Sequence, residues 1–201
     1  MGEIWFTADT HFGHGNIIRY ANRPFASVEE MDEALIERWN ERVRPRDTVY
    51  FLGDLSLHRR ARTEEIVDRL RGQIHVIRGN HDRPAYAIRE RFTSFQDYLQ
   101  VRVGDRFIVL FHYALRIWDK AHRGAWHLHG HSHGSLPDDP HARSMDVGVD
   151  CNDYYPFSFD DVAARMEAKD YRPVDHHTPW RPRPGRPASG SDDSRSRCEG
   201  G

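Results

Sequence analysis

Five short segments of the chain gather side chains able to hold metal ions or move protons: Asp9-Thr10-His11, Gly53-Asp54, Gly79-Asn80-His81-Asp82, a lone His112, and the run HGHSHG that carries His129, His131 and His133. Of the 14 histidines, six fall in the stretch from His112 to His133. Asp-x-His at the end of a strand turns a carboxylate and an imidazole toward one cavity. A carboxylate after glycine, where the backbone can turn sharply, is placed to bridge two cations. Asn80 adds a neutral oxygen, and His81 a titratable ring next to Asp82. His129, His131 and His133 alternate, so an extended chain gives them one face, and the glycines around them argue against a packing role. Carboxylate, imidazole and amide donors together favour borderline cations such as Mn²⁺, Fe²⁺, Ni²⁺ or Zn²⁺ over Ca²⁺, and no thiolate is present to impose a tetrahedral zinc site. Taken singly, each segment has a plainer reading as a helix cap, a solvated loop or a surface turn.

The elements that must position these residues follow a repeated syntax. The apolar runs EIWFTA, TVYFL, IHVIR, FIVLF and AWHLH stop, in turn, at Asp9, at Gly53-Asp54, at Gly79 to Asp82, at His112 and at Gly130 to His133. Each run has the length and the β-branched or aromatic content of a buried strand. Between them lie helical patterns. Ser27 and Glu30 form a capping-box pair ahead of Val28, Met31, Leu35, Trp39 and Val43 at helical spacing. A second helix is predicted over 63–71 with Gly72 as its stop. Another follows Pro84, and Ser158 with Asp161 opens a last one. Strands alternating with helices indicate an α/β sheet, whose ligands bind beyond the carboxyl ends of the strands. The polar strand ends therefore converge.

A chain of 201 residues fits one domain with a real core. Its formal net charge of -2 argues against broad electrostatic adhesion to nucleic acid, though not against a local basic patch. No apolar run approaches the roughly 18 to 20 residues of a spanning helix, and the amino-terminal stretch lacks the pattern of a signal peptide, so the cytoplasm is the expected address and no membrane partner is expected. Cys151 and Cys198 fit neither a disulfide framework nor a paired CxxC site. From Tyr171 the composition turns to Pro, Arg, Ser, Gly and Asp. The folded domain is thus expected over 1–172, and the tail over 173–201 is expected to be disordered.

Asp-x-His, Gly-Asp, Gly-Asn-His-Asp, a lone His and Gly-His-x-His, in that order and each at a strand end, resemble the calcineurin-like metallophosphoesterases of the small bacterial and phage type. The resemblance covers roughly residues 3–160. It implies a four-layer α/β/β/α sandwich that hydrolyses phosphoric esters, monoesters or diesters, with two divalent transition-metal ions, Mn²⁺ foremost and Fe, Ni or Zn as substitutes. Matched residue by residue, one ion falls to Asp9, His11 and His133 and the other to Asn80, His112 and His131, with Asp54 bridging both. Two ions about 3.5 to 4 Å apart clamp a phosphoryl group and bring a shared water toward a pKa of roughly 7, which makes metal-bound hydroxide the expected nucleophile. His81 matches the family's catalytic histidine, a group near the phosphate and its leaving oxygen, with Asp82 or Asp9 to hold its ring. His14, His58 and Arg83 flank the ligand segments and are expected at the substrate. Arg19, Arg59, Arg60 and Arg78 are further candidates for phosphate contacts. His129 is left out of the site because the family pattern takes only the later two histidines, and His75 is expected to be packed within its strand.

Two departures from the family pattern surround His112: Phe111 stands where many relatives have a small residue, and Ala114 where Pro is frequent. They leave the ligand intact but unsettle any transfer of substrate preference through that loop. The segment between His112 and His131 is too short for a capping domain. An open site admits a nucleotide, a phosphorylated metabolite or a strand end, so a nuclease acting on DNA or RNA is the alternative reading. A metallo-β-lactamase-type hydrolase is disfavoured because His133 stands where its His-x-His-x-Asp-His pattern needs Asp. A non-catalytic interaction module is disfavoured because every ligand and His81 are retained.

Overall fold

The computed structural model describes residues 2–174. Strands β1 (Ile4–Thr7), β2 (Thr48–Phe51), β3 (Gln73–Ile77) and β4 (Ser94–Gln96) run parallel, and β9 (Phe157–Ser158) closes the far edge antiparallel, in the order β4-β3-β2-β1-β9. A second sheet has the order β5-β6-β7-β8, from β5 (Tyr98–Val103), β6 (Arg106–Phe111), β7 (Trp126–His129) and β8 (Ser144–Asp146). Its first pair is an antiparallel hairpin and the rest is parallel. The five predicted strands are all present. The four additional ones are short, or in β5 alternate between exposed and half-buried positions, which weakens the apolar signal of an edge strand.

Five α-helices join them: α1 (Gly15–Tyr20), α2 (Val28–Arg42), α3 (Arg60–Arg69), α4 (Arg83–Tyr86) and α5 (Phe159–Glu167). Ser27 caps α2 by accepting the Glu30 amide, but the Glu30 carboxylate takes the amide of Ala26, one residue earlier than a capping box requires. In α5 the reciprocal box of Ser158 and Asp161 is complete. Helix α3 starts before its predicted position, and Thr63 lies buried in its first turn with its hydroxyl donating to the carbonyls of His58 and Arg59.

Three apolar layers hold the site's supports. Met31, Leu35, Ile36 and Trp39 of α2 pack on Val49, Phe51, Ile74 and Val76 of the first sheet. Phe6, Leu52 and Ile77 on its other face meet Ile108, Leu110, Trp126 and Leu128 of the second sheet, and Val162 and Met166 of α5 close this inter-sheet core. The outer face of the second sheet carries the thinnest layer, the segment after β6, through Trp118 and Ala125 against Val109. His75 is packed as expected, its ring against Tyr50 and its Nδ1 bonded to the Ser94 hydroxyl. At the carboxyl ends the Val149 amide donates to the Ala8 carbonyl (3.0 Å), so both sheets open to one place. Among the described residues no helix is long and apolar enough to cross a membrane. From residue 175 the tail expectation lies outside the described residues.

Candidate metal centre

The segments that end β1, β2 and β7 leave regular geometry at the candidate ligands. Asp9 (φ 59°), His11 (52°), Asp54 (62°), His131 (68°) and His133 (48°) all adopt the left-handed region, which non-glycine residues rarely enter. The strain is held by named bonds. The Asp9 amide donates to Gly53 O and the His11 amide to Asp54 O, while the His131 amide donates to Asp9 Oδ2 (2.8 Å) and the His81 amide to Asp54 Oδ1 (2.8 Å). Glycines let these loops touch: a Cβ on Gly79 would run into the Asp54 carboxylate, and one on Gly53 would meet His112 Nδ1 at 2.6 Å.

The result is two groups of donors, Asp9 with His11 and His133, and Asp54 with His112 and His131, each with ligand atoms within 4.8 Å of one another. Asp54 Oδ2 stands between them, 3.5 Å from His11 Nε2 and 3.6 Å from His112 Nε2. Asn80 Oδ1 lies 3.2 Å from His112 Nε2. His112 Nδ1 donates to the Leu52 carbonyl (2.7 Å), so its Nε2 carries a lone pair turned toward Asn80 Oδ1 and Asp54 Oδ2. Acceptors facing acceptors repel unless a cation lies among them. Asp9 Oδ1 and His11 Nε2 are buried without a hydrogen-bond partner, an arrangement proteins avoid. These atoms fit a pair of divalent ions.

The electrostatics agree. Burial, then the Asp146 and Asp54 carboxylates, push the Asp9 carboxyl well above its usual range, a penalty that a cation reverses. Burial, then His133 and Arg23, drive His11 down to about 2, and burial also lowers His112, so both rings are neutral and ready to coordinate.

Two supports were not read from the sequence. Arg23, its side chain fully buried, donates from Nε and Nη2 to the two oxygens of Asp150 (both 2.8 Å) and from Nη2 and Nη1 to the carbonyls of Asp9 and Thr10. Asp150 Oδ2 in turn accepts from His133 Nδ1 at 2.7 Å, which leaves Nε2 for an ion. Burial works to raise the Asp150 carboxyl, but His133 and Arg23 outweigh it and hold it low. The only signal would have been Asp150 lying shortly after β8, a strand too short to notice. Tyr113, next to His112, is the other: its hydroxyl donates to Asn80 Oδ1 (3.3 Å).

The remaining expected residues divide. His81 is exposed, its ring 5.5 Å from that of His11 and 6.3 Å from that of His14, at the mouth beside the first group. His14 is half-buried, and burial followed by His81 lowers its pKa. Arg83 is exposed and lines a cavity of about 550 Å³ with Asn80, Tyr86, Phe111 and Tyr113. Asp82 does not serve His81. Its oxygens accept the amides of Gly79, Asp54 and Leu55 at 2.7 to 2.9 Å, which pins the β2 and β3 loops together, and neither it nor Asp9 hydrogen-bonds the His81 ring. The plain physical reason is that Asp82 is buried while His81 points outward. His58 is bound through Nε2 to Asp32 (2.7 Å) and packs under Gly13, so it props the β1 loop. His129 lies outside both ligand groups.

The chain is similar to known proteins. The chain is 36% identical over 178 residues to an uncharacterised protein of Methanocaldococcus jannaschii, covering 83% of this chain and 93% of that one. It is 29% identical over 180 residues to the gene 66 protein of Mycobacterium phage D29, covering 75% and 89%. A crystal structure of an Aquifex aeolicus protein of unknown function superposes with a TM-score of 0.65 at 22% identity, over 82% of this chain and 99% of that one, which shows a shared fold. The family model of the calcineurin-like phosphoesterase superfamily domain matches residues 3–143, which include both donor groups and Asn80, and the chain belongs to that superfamily.

Proposed function

We propose that the protein hydrolyses phosphoric esters at a centre of two divalent transition-metal ions, Mn²⁺ foremost. The observation that carries this is the pair of buried, partnerless atoms, Asp9 Oδ1 and His11 Nε2, beside an Asp54 oxygen shared between imidazoles of both groups. Asp9, His11 and His133 would hold one ion, Asn80, His112 and His131 the other, and Asp54 both. Bound there, the pair supplies Lewis acidity toward the phosphoryl oxygens and an activated water.

The chain's own residues do the rest. His81, exposed at the mouth with its backbone fixed to Asp54 Oδ1, reaches toward the leaving oxygen as a proton donor, and His14 beside it contacts the phosphate. Arg83, without a carboxylate partner among the described residues, lends its charge to the same anion. A cavity of about 550 Å³, lined by Asn80 and Arg83, adjoins the centre and has room for an ester arm.

The test is metal-stripped protein reloaded with Mn²⁺ and offered bis(p-nitrophenyl) phosphate and p-nitrophenyl phosphate, with elemental analysis alongside. Two ions per chain and metal-dependent release of nitrophenol are expected, and absence of bound metal would sink the proposal. One observation favours the nuclease reading enough to include single-stranded DNA and RNA in the panel. Exposed Arg59, Arg83 and Arg116, in the segments that follow His58, Asp82 and Tyr113, have no acidic partner among the described residues.

A further inference from the structure

We infer that Tyr113 is a positioning residue for one ion position and not for the other, an inference that rests on the two-ion reading above. Its hydroxyl donates to Asn80 Oδ1, and its ring packs edge-on against His112 (centroids 4.8 Å) and His131 (4.7 Å). One side chain thereby touches all three residues assigned to the second ion and none assigned only to the first. An amide oxygen has two acceptor positions, so the phenol occupies one and leaves the other for the ion while limiting rotation of an otherwise exposed asparagine.

The contrast between the two positions gives the inference its content. Around Asp9, His11 and His133 the support is ionic and buried, the Arg23 and Asp150 pair. Around Asn80 and His131 both ligands are exposed, and Tyr113, itself 38% exposed, is their shared brace. Loss of Tyr113 therefore loosens one position and leaves the other as it was.

The experiment titrates metal-free wild type, Tyr113→Phe and Tyr113→Ala with Mn²⁺ by calorimetry, and follows the spin-coupled Mn²⁺ pair by electron paramagnetic resonance. Wild type should bind two ions. Removal of a residue that orients metal ligands costs about 10- to 100-fold in affinity, so Tyr113→Ala should weaken one ion by that factor, with the other unchanged. Tyr113→Phe keeps the ring contacts and should lose roughly 2- to 10-fold, the worth of one hydrogen bond. Half-maximal activity should need correspondingly more Mn²⁺, with turnover recovered at saturation. Tyr113→Ala should be non-additive with Asn80→Ala and additive with His133→Ala.

If wild type binds fewer than two ions, the reading beneath fails. If wild type binds two and the Tyr113 variants bind both as tightly, or lose both equally together with a lowered melting temperature of the metal-free chain, Tyr113 is a packing residue and the inference is wrong.

Discussion

Replacement of Asp150 by alanine tests whether the centre is held by a buried charge relay. Asp150 is 6% exposed in its side chain and Arg23 is fully buried, and the carboxylate is the sole ionic partner of that guanidinium among the described residues. Removing one member of a buried pair leaves the other uncompensated, at a cost of about 3 to 5 kcal/mol. For a domain of this size that corresponds to a fall in melting temperature of roughly 6 to 20 °C. The change also frees His133 Nδ1, so affinity for the first ion should fall about 10- to 100-fold while the second holds. Urea unfolding of the metal-free protein gives the first quantity and Mn²⁺ titration the second. In the cycle with Arg23→Met, the double variant should be far more stable than the sum of the single losses predicts. Asp150→Ala with stability within about 1 kcal/mol of wild type, or strict additivity with Arg23→Met, would refute the relay.

Asp9→Asn should stabilise the metal-free protein at neutral pH by about 1 to 3 kcal/mol while removing the first ion, since it erases a buried, partly unsatisfied carboxylate. Because the folded carboxyl titrates above its unfolded value, wild type gains protons on folding as pH drops, so the gap should close toward pH 4; a gap that widens in acid overturns the assignment. His127, lowered to about 4 by burial, works in the opposite sense. Its unfolded form gains a proton first, so its contribution to the stability of the metal-free chain should fall by up to about 1.4 kcal/mol per pH unit between roughly 6.5 and 4, and His127→Gln should make the pH slope shallower by that amount in urea titrations. His81→Ala should keep both ions and lose about 10² to 10⁴ in turnover on an alkyl ester but much less on a nitrophenyl ester. Equal losses on both substrates would make it a packing residue. Gly79→Ala should cost metal through its collision with Asp54, visible by elemental analysis of the purified variant.

How far the sequence disclosed this centre follows from range. Candidate ligands such as Asp9, Asn80 and His131 could be picked out because each follows an apolar run, and a run of four or five residues is a local signal. Strand β8, of three residues, and β9, of two, gave no periodicity to read, and Asp150 came to light only with the fold. Its bond to Arg23 spans 127 positions, and no local pattern encodes such a pairing. The misplacement of Asp82 has the same origin. Adjacency in GNHD suggested a partner for His81, yet the turn directs one side chain outward and the other under three backbone amides.

The left-handed ligands explain why so much support is needed. A non-glycine residue in that region costs of the order of 1 to 3 kcal/mol, and five of the nine such residues described here are assigned to metal. Glycine at any of them would relax the backbone but supply no donor, so the fold keeps the strained residue and constrains it from outside. Arg23 holds the carbonyls of Asp9 and Thr10, Asp82 holds three amides across two loops, and Asp9 itself accepts the amide of His131. Two of these braces, Asp9 and Asp82, are buried carboxylates whose charge a nearby cation would offset, while the third, Arg23, is balanced by Asp150. In the metal-free chain the carboxylates repel one another and Asp9 is pushed toward its neutral form; with cations present the same carboxylates become attractive contacts. At the proposed centre, ion binding and relief of that repulsion would be one event. A metal-dependent rise in melting temperature should then be larger in wild type than in Asp9→Asn, by more than the loss of a single ion's binding at the same Mn²⁺ concentration accounts for.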